Sequence, residues 1–390
     1  MAMFESALTD VIAIDAAMDT VHFYTAVGGR QSNYFSVACN CQNFGEEFME
    51  KFDKILKTFR QKNPGVPMSK VSLVLPDHLF LTDTIDIPAV GKKAMESSLE
   101  VAIGAIYKNK ADLKYNTFPL SQNKQFATFG LVGVRKELVT GLTNICAANQ
   151  FAVQNITFTA NAVANGAMTL NPKLKTGTFA LLDLRETDTR LVFVNKGRTV
   201  GFLNLPFGYA MLYKTRLAAE DLLFDHSTGE LLVLNAKEKA KAKQLTMMGE
   251  EVLTDPDDAQ KDFPAEQEDF ETGDGRKGGR KLPKFMLRDT PTDREGFIYE
   301  NFRIFMKWTL EAIAANTSII ALEELDSILV NVPREYMILF GKANAEEEEN
   351  GVKFLPLIGA AGLETNADTA KVLELFGGLY VKQLNKSNNF

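Results

Sequence analysis

The pattern of apolar and polar positions predicts the same unit of three strands twice. The first copy reads VIAIDAAMDTVHFYTAVGGRQSNYFSV over 11–37, and the second reads FALLDLRETDTRLVFVNKGRTVGFLNL over 179–205. In each copy an apolar run ends in an aspartate, Asp15 or Asp183, and a polar turn, a β-branched and aromatic strand and a Gly-Arg turn follow. Superposing the two aspartates also superposes the two Gly-Arg turns without a gap. The pattern therefore indicates an internal duplication.

A helix and a further strand are predicted after each unit. After the first copy, aromatic and aliphatic residues recur at helical spacing over 44–59, and a strand of the buried type follows at 71–75. After the second copy the pattern predicts a helix at 209–224, a strand at 327–332 and another at 336–340. Two copies of a βββ–helix–β unit predict an α/β protein of two related lobes.

The two lobes differ in their insertions. Residues 89–150 have no counterpart in the second copy, and their pattern of helix, strand, strand and helix predicts a small α+β subdomain. The second insertion, 225–297, contains an acidic and then glycine-rich and basic stretch at 255–283 with almost no aliphatic residues, which we expect to be mobile. The remaining segments make up lobe one (1–88 and 151–176) and lobe two (177–224 and 298–390).

Composition excludes several classes of protein. A chain of 390 residues with 45% hydrophobic residues is long enough for two sizeable cores. A net charge of -7 argues against broad nucleic-acid binding, which needs a basic face. We expect no transmembrane segment, because no window of about 18 uninterrupted apolar residues occurs, and no secretory signal at the N-terminus. The expected location is the cytoplasm.

The cysteines are few and favour a reducing compartment. Cys39 and Cys41 alternate at the end of the third strand, so both thiols are expected on one side of the chain. A metal site there would need two further ligands, and the only histidines are His22, His78 and His226. We therefore interpret the pair as two reduced thiols.

The order of these elements resembles the actin-like ATPase superfamily, and within it the PilM-like assembly proteins of type IV pili and type II secretion systems and their relative FtsA. The resemblance rests on GLVGVRKELV at 130–139, on the paired strands at 71–88, and on FLPLIGAAG at 354–362, which is similar to a late Gly/Ala-rich helix of the family. It covers most of the chain except 225–297 and the C-terminal end. It implies a two-lobed actin-like fold, a duplicated RNase H-like fold, with one inserted subdomain per lobe.

The resemblance places a nucleotide site at the turns that follow the two aspartates. An actin-like site needs a glycine in each turn, so that backbone N–H groups approach the phosphates, and an aspartate beside each turn to hold hydrated metal. Here the first glycine is replaced by Ala17 and the second by Arg185. The candidate phosphate-turn residues are Asp15, Ala17, Asp183, Arg185 and Thr187, of which Asp15 and Asp183 would hold a metal only if Mg-ATP binds.

Other residues of the two turns disfavour a phosphate. Met18 and Asp19 add bulk and negative charge to the first turn, and Glu186 and Asp188 add negative charge to the second. Arg185 could instead bind a phosphate oxygen and compensate in part. The balance favours a degenerate site.

The element that would hold the adenosine also departs from the family. The segment 331–333 contains no glycine where a Gly-rich turn is expected, and the alternative placement at 357–362 has alanines between its glycines. We therefore expect a pseudo-ATPase with no catalytic residue and no cofactor, in which Asp15 and Asp183 cap backbone donors at the strand ends. Binding of ATP and Mg stays an alternative.

By resemblance, the chain is a cytoplasmic scaffold at the periphery of the inner membrane, in the assembly platform of a type IV pilus or type II secretion system. Its partner would be the cytoplasmic tail of a PilN-like membrane protein, lying in the groove between lobe one and the insertion at 89–150. One alternative is an active actin-like ATPase with a catalytic Asp15 or Asp183. Another is an FtsA-like, self-associating filament former whose apolar face at 372–379 lies on a membrane; otherwise this face packs on lobe two.

Overall fold

The computed structural model describes most of the chain between its termini. The described residues are 11–16, 19–27, 30–63, 70–108, 110–214, 222–225, 230–233, 293–316, 319–331, 354–357, 373, 375 and 377. The contacts divide the chain into two compact units, Met1–Tyr209 with Ile313–Phe390, and Ala210–Ala312.

The strands and helices of this described part follow in chain order. The strands are β1 (Val11–Ala16), β2 (Thr20–Val27), β3 (Arg30–Ala38), β4 (Lys70–Leu75), β5 (Phe80–Pro88), β6 (Leu113–Gln122), β7 (Phe126–Arg135), β8 (Ala152–Phe158), β9 (Thr178–Leu184), β10 (Thr189–Asn195), β11 (Arg198–Leu205), β12 (Leu222–Asp225), β13 (Glu230–Val233), β14 (Ser327–Asn331) and β15 (Phe354–Pro356). The α-helices are α1 (Glu46–Lys62), α2 (Lys92–Ile106), α3 (Lys136–Ala148), α4 (Thr159–Leu170), α5 (Tyr209–Lys214) and α6 (Asp293–Ala315), and a short 3-10 helix spans Asp77–Leu79.

Two five-stranded sheets share one topology. The first has the order β3-β2-β1-β4-β8 and the second the order β11-β10-β9-β14-β15. In both sheets the first three strands are antiparallel neighbours, and the remaining neighbours are parallel. Asp15 is paired with His22 in the first sheet, and Asp183 is paired with Arg190 in the same register in the second. The duplication predicted from the sequence is confirmed.

The core of the first sheet shows why its sequence folds in this way. Strand β4 is buried from Val71 to Leu75, as expected for a central strand covered on both faces. Helix α1 buries residues at i, i+4 and i+8 spacing, Phe48, Phe52, Leu56 and Phe59 among them. Phe59 stacks on Phe23 of β2 with the ring centroids 4.2 Å apart, so the aromatic stripe of the helix faces the sheet.

A three-stranded antiparallel sheet lies between the two copies in the chain. Its order is β5-β7-β6, and α2 buries Leu99 and Ile103 against Ile85, Ile87 and Leu131 of its strands. The chain then returns through α3, which packs against α1 and β8. The predicted order of helix, strand, strand and helix is confirmed. The sheet also includes β5, which precedes the insertion boundary predicted at 89.

Two predictions after the second copy are wrong. The predicted helix at 209–224 is found over Tyr209–Lys214, but its predicted end is wrong, since 222–225 form β12 and pair with β13 in an antiparallel ladder. The passage compared with a late helix at 354–362 begins as a strand, β15, which pairs in parallel with β14. Short apolar runs fit both the helical and the strand period, so pairing with a neighbouring strand determines which structure forms.

The C-terminal apolar face packs against the body of its unit. Leu373 and Leu375 are fully buried. A Cβ added to Gly166 of α4 would lie 2.6 Å from the Leu373 carbonyl oxygen. Of the predicted face, Leu375 is described, and its burial agrees with the packed alternative, while the neighbouring Leu373 lies against α4. Glycine at 166 permits the approach because it has no side chain.

Other predictions concern residues outside the described part. These are the stretch at 255–283, the strand at 336–340, and the glycines of 358–362. Among the helices that the structure describes, none has the length and apolar character needed to cross a membrane.

Candidate functional site

The candidate site lies at the carboxyl ends of the central parallel strands β4, β9 and β14. In open α/β sheets this end is where ligands bind. β9 contributes Asp183, β14 contributes Asn331, and Asp77 begins the 3-10 helix that directly follows Pro76 after β4. Arg190 enters from the start of β10. The site therefore draws on both copies of the duplicated sheet.

These four polar side chains form one buried network. Arg190 Nε lies 2.5 Å from Asp77 Oδ2, and Arg190 Nη1 lies 3.7 Å from Asp183 Oδ2. The Asn331 Nδ2 group donates a hydrogen bond of 2.8 Å to Asp183 Oδ1. The Ala160 backbone N–H donates one of 2.7 Å to Asp77 Oδ1. Exposure is only 5% for Arg190, 3% for Asp77, and 1% for Asp183 and Asn331.

The network balances charge that burial would otherwise make costly. A buried carboxylate must be paired and hydrogen-bonded. The guanidinium of Arg190 gives Asp77 and Asp183 a cation that is covalently part of the chain. Asp77 has a second favourable partner, because Ala160 is in the first turn of α4, where backbone N–H groups carry partial positive charge.

Residues of the second predicted phosphate turn bond to one another. The Arg185 backbone N–H donates to the Asp188 carbonyl oxygen at 3.0 Å, and the Arg185 and Asp188 side chains form an ion pair. The Tyr209 N–H donates to the Arg185 carbonyl oxygen at 2.8 Å. A Cβ at Gly208 would lie 2.5 Å from the Glu186 carbonyl oxygen, so glycine is needed for the loop to cover the turn so closely.

The remaining candidates of the two turns are placed as follows. Thr187 is exposed at the tip of the second turn and donates to Asp188 Oδ1 at 3.3 Å. Asp15 lies in β1, where its backbone is paired with His22, and Ala17 lies outside the described residues. The structure therefore brings together Asp183, Arg185 and Thr187 along one hairpin.

Two members of the network were missed from the sequence, Asp77 and Arg190. A signal for both was present. Asp77 follows a proline that ends a buried strand, a position at the carboxyl edge of the sheet. Arg190 follows Asp183 in the sequence by the same number of residues as His22 follows Asp15. The repeat alignment therefore placed Arg190 beside the aspartate.

The cysteine pair follows β3 and touches the first turn. Cys39 Sγ and Cys41 Sγ are 3.5 Å apart, which confirms that the two thiols lie on one side. Burial and the neighbouring Cys41 thiol raise the pKa of Cys39 to about 12. Within the part of the chain that the structure describes, no group of three or more His, Cys, Asp and Glu residues is placed to hold a metal ion.

The inserted subdomain contains a cavity of about 560 Å³. Its walls are the end of α2 with Ile106, the start of β6 with Leu113, and the junction of β7 and α3 with Arg135. Ile106 is 48% exposed. Next to it, Tyr107 donates a hydrogen bond of 2.9 Å to Asp83 Oδ2, and burial together with this bond raises the pKa of Tyr107. The cavity thus combines apolar residues, a tyrosine fixed by a hydrogen bond, and charged residues of both signs, Asp112 and Glu137 among them.

Comparison with solved structures decides the fold. The structure is similar to the PilM-PilN type IV pilus biogenesis complex, with a TM-score of 0.53 over 97% of this chain and 99% of that chain, at 11% sequence identity. The chain has the actin-like fold. The predicted fold class, an α/β fold with a duplicated RNase H-like sheet, is therefore confirmed.

Weaker likenesses extend to other proteins. EutJ, an ethanolamine utilization protein of Carboxydothermus hydrogenoformans, matches with a TM-score of 0.41 over 95% of this chain and 89% of its own, at 8% identity. The cytoplasmic domain of EpsL, an inner membrane component of the type II secretion system of Vibrio cholerae, matches with a TM-score of 0.33 over 52% of this chain and 72% of its own, at 14% identity. No protein-family model matches this actin-like chain, and no curated protein sequence does.

Proposed function

We propose that this actin-like chain is a PilM-like scaffold on the cytoplasmic face of the inner membrane, in the platform that assembles a type IV pilus or type II secretion system. Its partner is the cytoplasmic tail of a PilN-like membrane protein. The observation that carries the proposal is the likeness in fold to the PilM-PilN complex over 97% of this chain and 99% of that chain. A scaffold of this kind works by binding and needs no catalytic residue.

The cavity of the inserted subdomain is the proposed site of the tail. Short peptides bind either by adding to an exposed strand or by placing apolar side chains in a groove. The cavity offers both, because β6 is an edge strand of its sheet and Ile106 and Leu113 line the cavity wall. The same wall carries charges of both signs, Lys108, Arg135 and Lys136 beside Asp112 and Glu137. We expect an extended tail with apolar anchors.

The second part of the proposal is a pseudo-ATPase site. A phosphate-binding turn must offer its backbone N–H groups to the ligand, but the Arg185 N–H is already bonded to Asp188. An aspartate that holds hydrated metal must be open to it, but Asp183 is 1% exposed and bonded to Asn331. These two features, together with the buried guanidinium of Arg190, support the absence of Mg-ATP binding in the usual mode.

Peptide binding tests the first part. A fluorescent peptide with the tail sequence of the PilN-like protein from the same organism is titrated with the full chain, and we expect saturation at micromolar concentrations. Ile106→Asp should weaken binding at least ~10-fold, because a charge at the cavity wall replaces an apolar contact. Val101→Asp is the matched control, since Val101 is 72% exposed on the same helix and outside the cavity wall.

The outcomes separate three interpretations. No binding at ~100 µM peptide would reject the tail as partner. Equal losses of affinity in both variants would reject the cavity as the binding site, although the tail would still be the partner. Calorimetry with Mg-ATP addresses the pseudo-ATPase site separately: we expect no saturable heat, whereas saturable heat would reject the pseudo-ATPase site and favour the active ATPase alternative.

A further inference from the structure

The segment Cys39-Asn40-Cys41 brings two thiols into contact through a tight turn. Asn40 has a φ of 50°, in the left-handed region, which ends β3 and folds the two neighbouring residues toward each other. The two Sγ atoms are 3.5 Å apart. A disulfide bond measures about 2.05 Å, so the sulfur atoms need to approach by only roughly 1.5 Å for a bond to form. Asn tolerates the left-handed conformation better than most residues.

We propose that Cys39 and Cys41 form a redox modification site, at which a peroxide converts the dithiol into an intramolecular disulfide. The pair is independent of the proposed scaffold function. It is also distinct from Cys146, a third free cysteine, which is buried in α3.

The surroundings assign different roles to the two thiols. Cys41 is partly exposed, so a small oxidant reaches it, whereas Cys39 is only 4% exposed. The Lys51 ammonium donates a hydrogen bond of 3.0 Å to the Asn40 carbonyl oxygen and acts electrostatically on both sulfurs. Because Cys41 is the more exposed of the two thiols, it attacks the peroxide first, and Cys39 is the resolving thiol.

The reaction has two balanced steps. The Cys41 thiolate attacks one peroxide oxygen, the O–O bond breaks, and the departing hydroxide takes a proton to become water, leaving a sulfenic acid. Cys39 Sγ then attacks Cys41 Sγ, the S–O bond breaks, and the departing hydroxide combines with the Cys39 proton as a second water. The dithiol loses two electrons, and the peroxide is reduced to two waters. A disulfide that spans one intervening residue closes a small, strained ring, so thiols reduce it readily and the modification is reversible.

The site is connected to the first hairpin. The backbone N–H groups of Cys39 and Asn40 both donate to the Asp19 carbonyl oxygen, at 2.7 and 3.0 Å. Asp19 lies in the turn between β1 and β2, the first predicted phosphate turn. Drawing the sulfur atoms together changes the backbone of the segment that makes these two bonds. We therefore expect oxidation to loosen the β1–β2 turn.

Mass spectrometry of the full chain tests the modification. The reduced protein is exposed to hydrogen peroxide, quenched, denatured and alkylated. We expect alkyl groups to fall from three to one, with a disulfide mapped to the peptide that carries Cys39 and Cys41, and a thiol reductant should restore all three. Cys146→Ser should lose its two remaining alkyl groups at the wild-type rate, because Cys146 is fully buried in α3 and peroxide does not reach it.

Other results would overturn the proposal. Stable sulfinic acid on Cys41 without a disulfide, a disulfide that involves Cys146, or three alkyl groups retained under peroxide would each do so. Cys41→Ser should leave Cys39 alkylatable after peroxide. Hydrogen exchange tests the connection to the hairpin: amides of 19–27 should exchange at least ~3-fold faster in the oxidised than in the reduced protein, and unchanged exchange would reject it.

Discussion

Arg190 Nε lies 2.5 Å from Asp77 Oδ2, and both side chains are buried although they belong to different copies of the duplicated sheet. The ion pair joins the end of β4 to the start of β10. Because the guanidinium also lies 3.7 Å from Asp183, one cation balances the charge of a carboxylate from each copy, Asp77 and Asp183. The charge balance of the site is therefore internal to the chain.

Removing this cation should destabilise the fold strongly. Arg190→Leu leaves two buried carboxylates without their guanidinium, and breaking a buried ion pair costs about 3–5 kcal/mol. Urea unfolding followed by circular dichroism measures the loss. Lys57→Ala is the control, because it breaks the exposed pair with Asp53, and we expect a loss below ~1 kcal/mol. Equal, small losses in both variants would show that the network does not support the fold.

The stability of the fold should depend on both the size and the charge of the side chain at position 331. Its Nδ2 group donates to Asp183 Oδ1 at 2.8 Å. Asn331→Ala removes one buried hydrogen bond and should cost about 1–3 kcal/mol. Asn331→Asp places a second carboxyl against Asp183, which should cost more at neutral pH and less as the pH falls, because the introduced carboxyl gains a proton and can donate again. Unfolding at pH ~5 and ~8 distinguishes the two variants; a pH-independent gap would contradict this account.

Replacing either of two helix glycines by alanine should change the stability of the fold, in opposite directions. At Gly166 of α4 a Cβ would lie 2.6 Å from the Leu373 carbonyl oxygen, so Gly166→Ala should destabilise by about 1–3 kcal/mol. At Gly104 of α2 a Cβ would meet nothing within 4 Å, so Gly104→Ala should stabilise by up to ~1 kcal/mol through helix propensity. Thermal unfolding of both variants measures the difference. A stabilising Gly166→Ala would reject the close packing of the C-terminal segment on α4.

The charge on Asp53 should add stability that disappears in acid. The Lys57 ammonium and the Asn149 amide hold the pKa of Asp53 below its ordinary value. Since the folded pKa is the lower one, the stabilisation is present above the unfolded value of ~3.9 and is lost as the pH falls through the folded value. Asp53→Asn should therefore have a lower urea midpoint than the wild type at pH ~6, and the two midpoints should converge by pH ~2.

The control for this prediction lies on the same helix. Glu50→Gln removes an exposed carboxylate and should leave the acid dependence of the urea midpoint unchanged. A wild type and Asp53→Asn that stay equally separated down to pH ~2 would show that the Asp53 charge is not the cause.

The repeat pattern predicted the fold because each copy carries its own local signals. Apolar runs that end in Asp15 and Asp183 made two equivalent central strands recognisable, and their alignment predicted the shared topology. The pattern failed at Leu222–Asp225 and Phe354–Pro356, where strand or helix depends on the pairing partner. Periodicity within such a short run does not contain that information.

The sequence alone determined that two aspartates stand at equivalent strand ends and that their turns lack the glycines of a phosphate site. The repeat alignment already places Arg190 beside Asp183, but only the tertiary structure decided the other surroundings: Asn331 on the neighbouring strand, and Asp77 from the other copy beyond Arg190. The physical reason is that a buried charge is defined by its partners, and these partners come from segments brought together only when the sheets form. Spacing along the chain identifies which residues carry charge, and three-dimensional packing determines which charges meet.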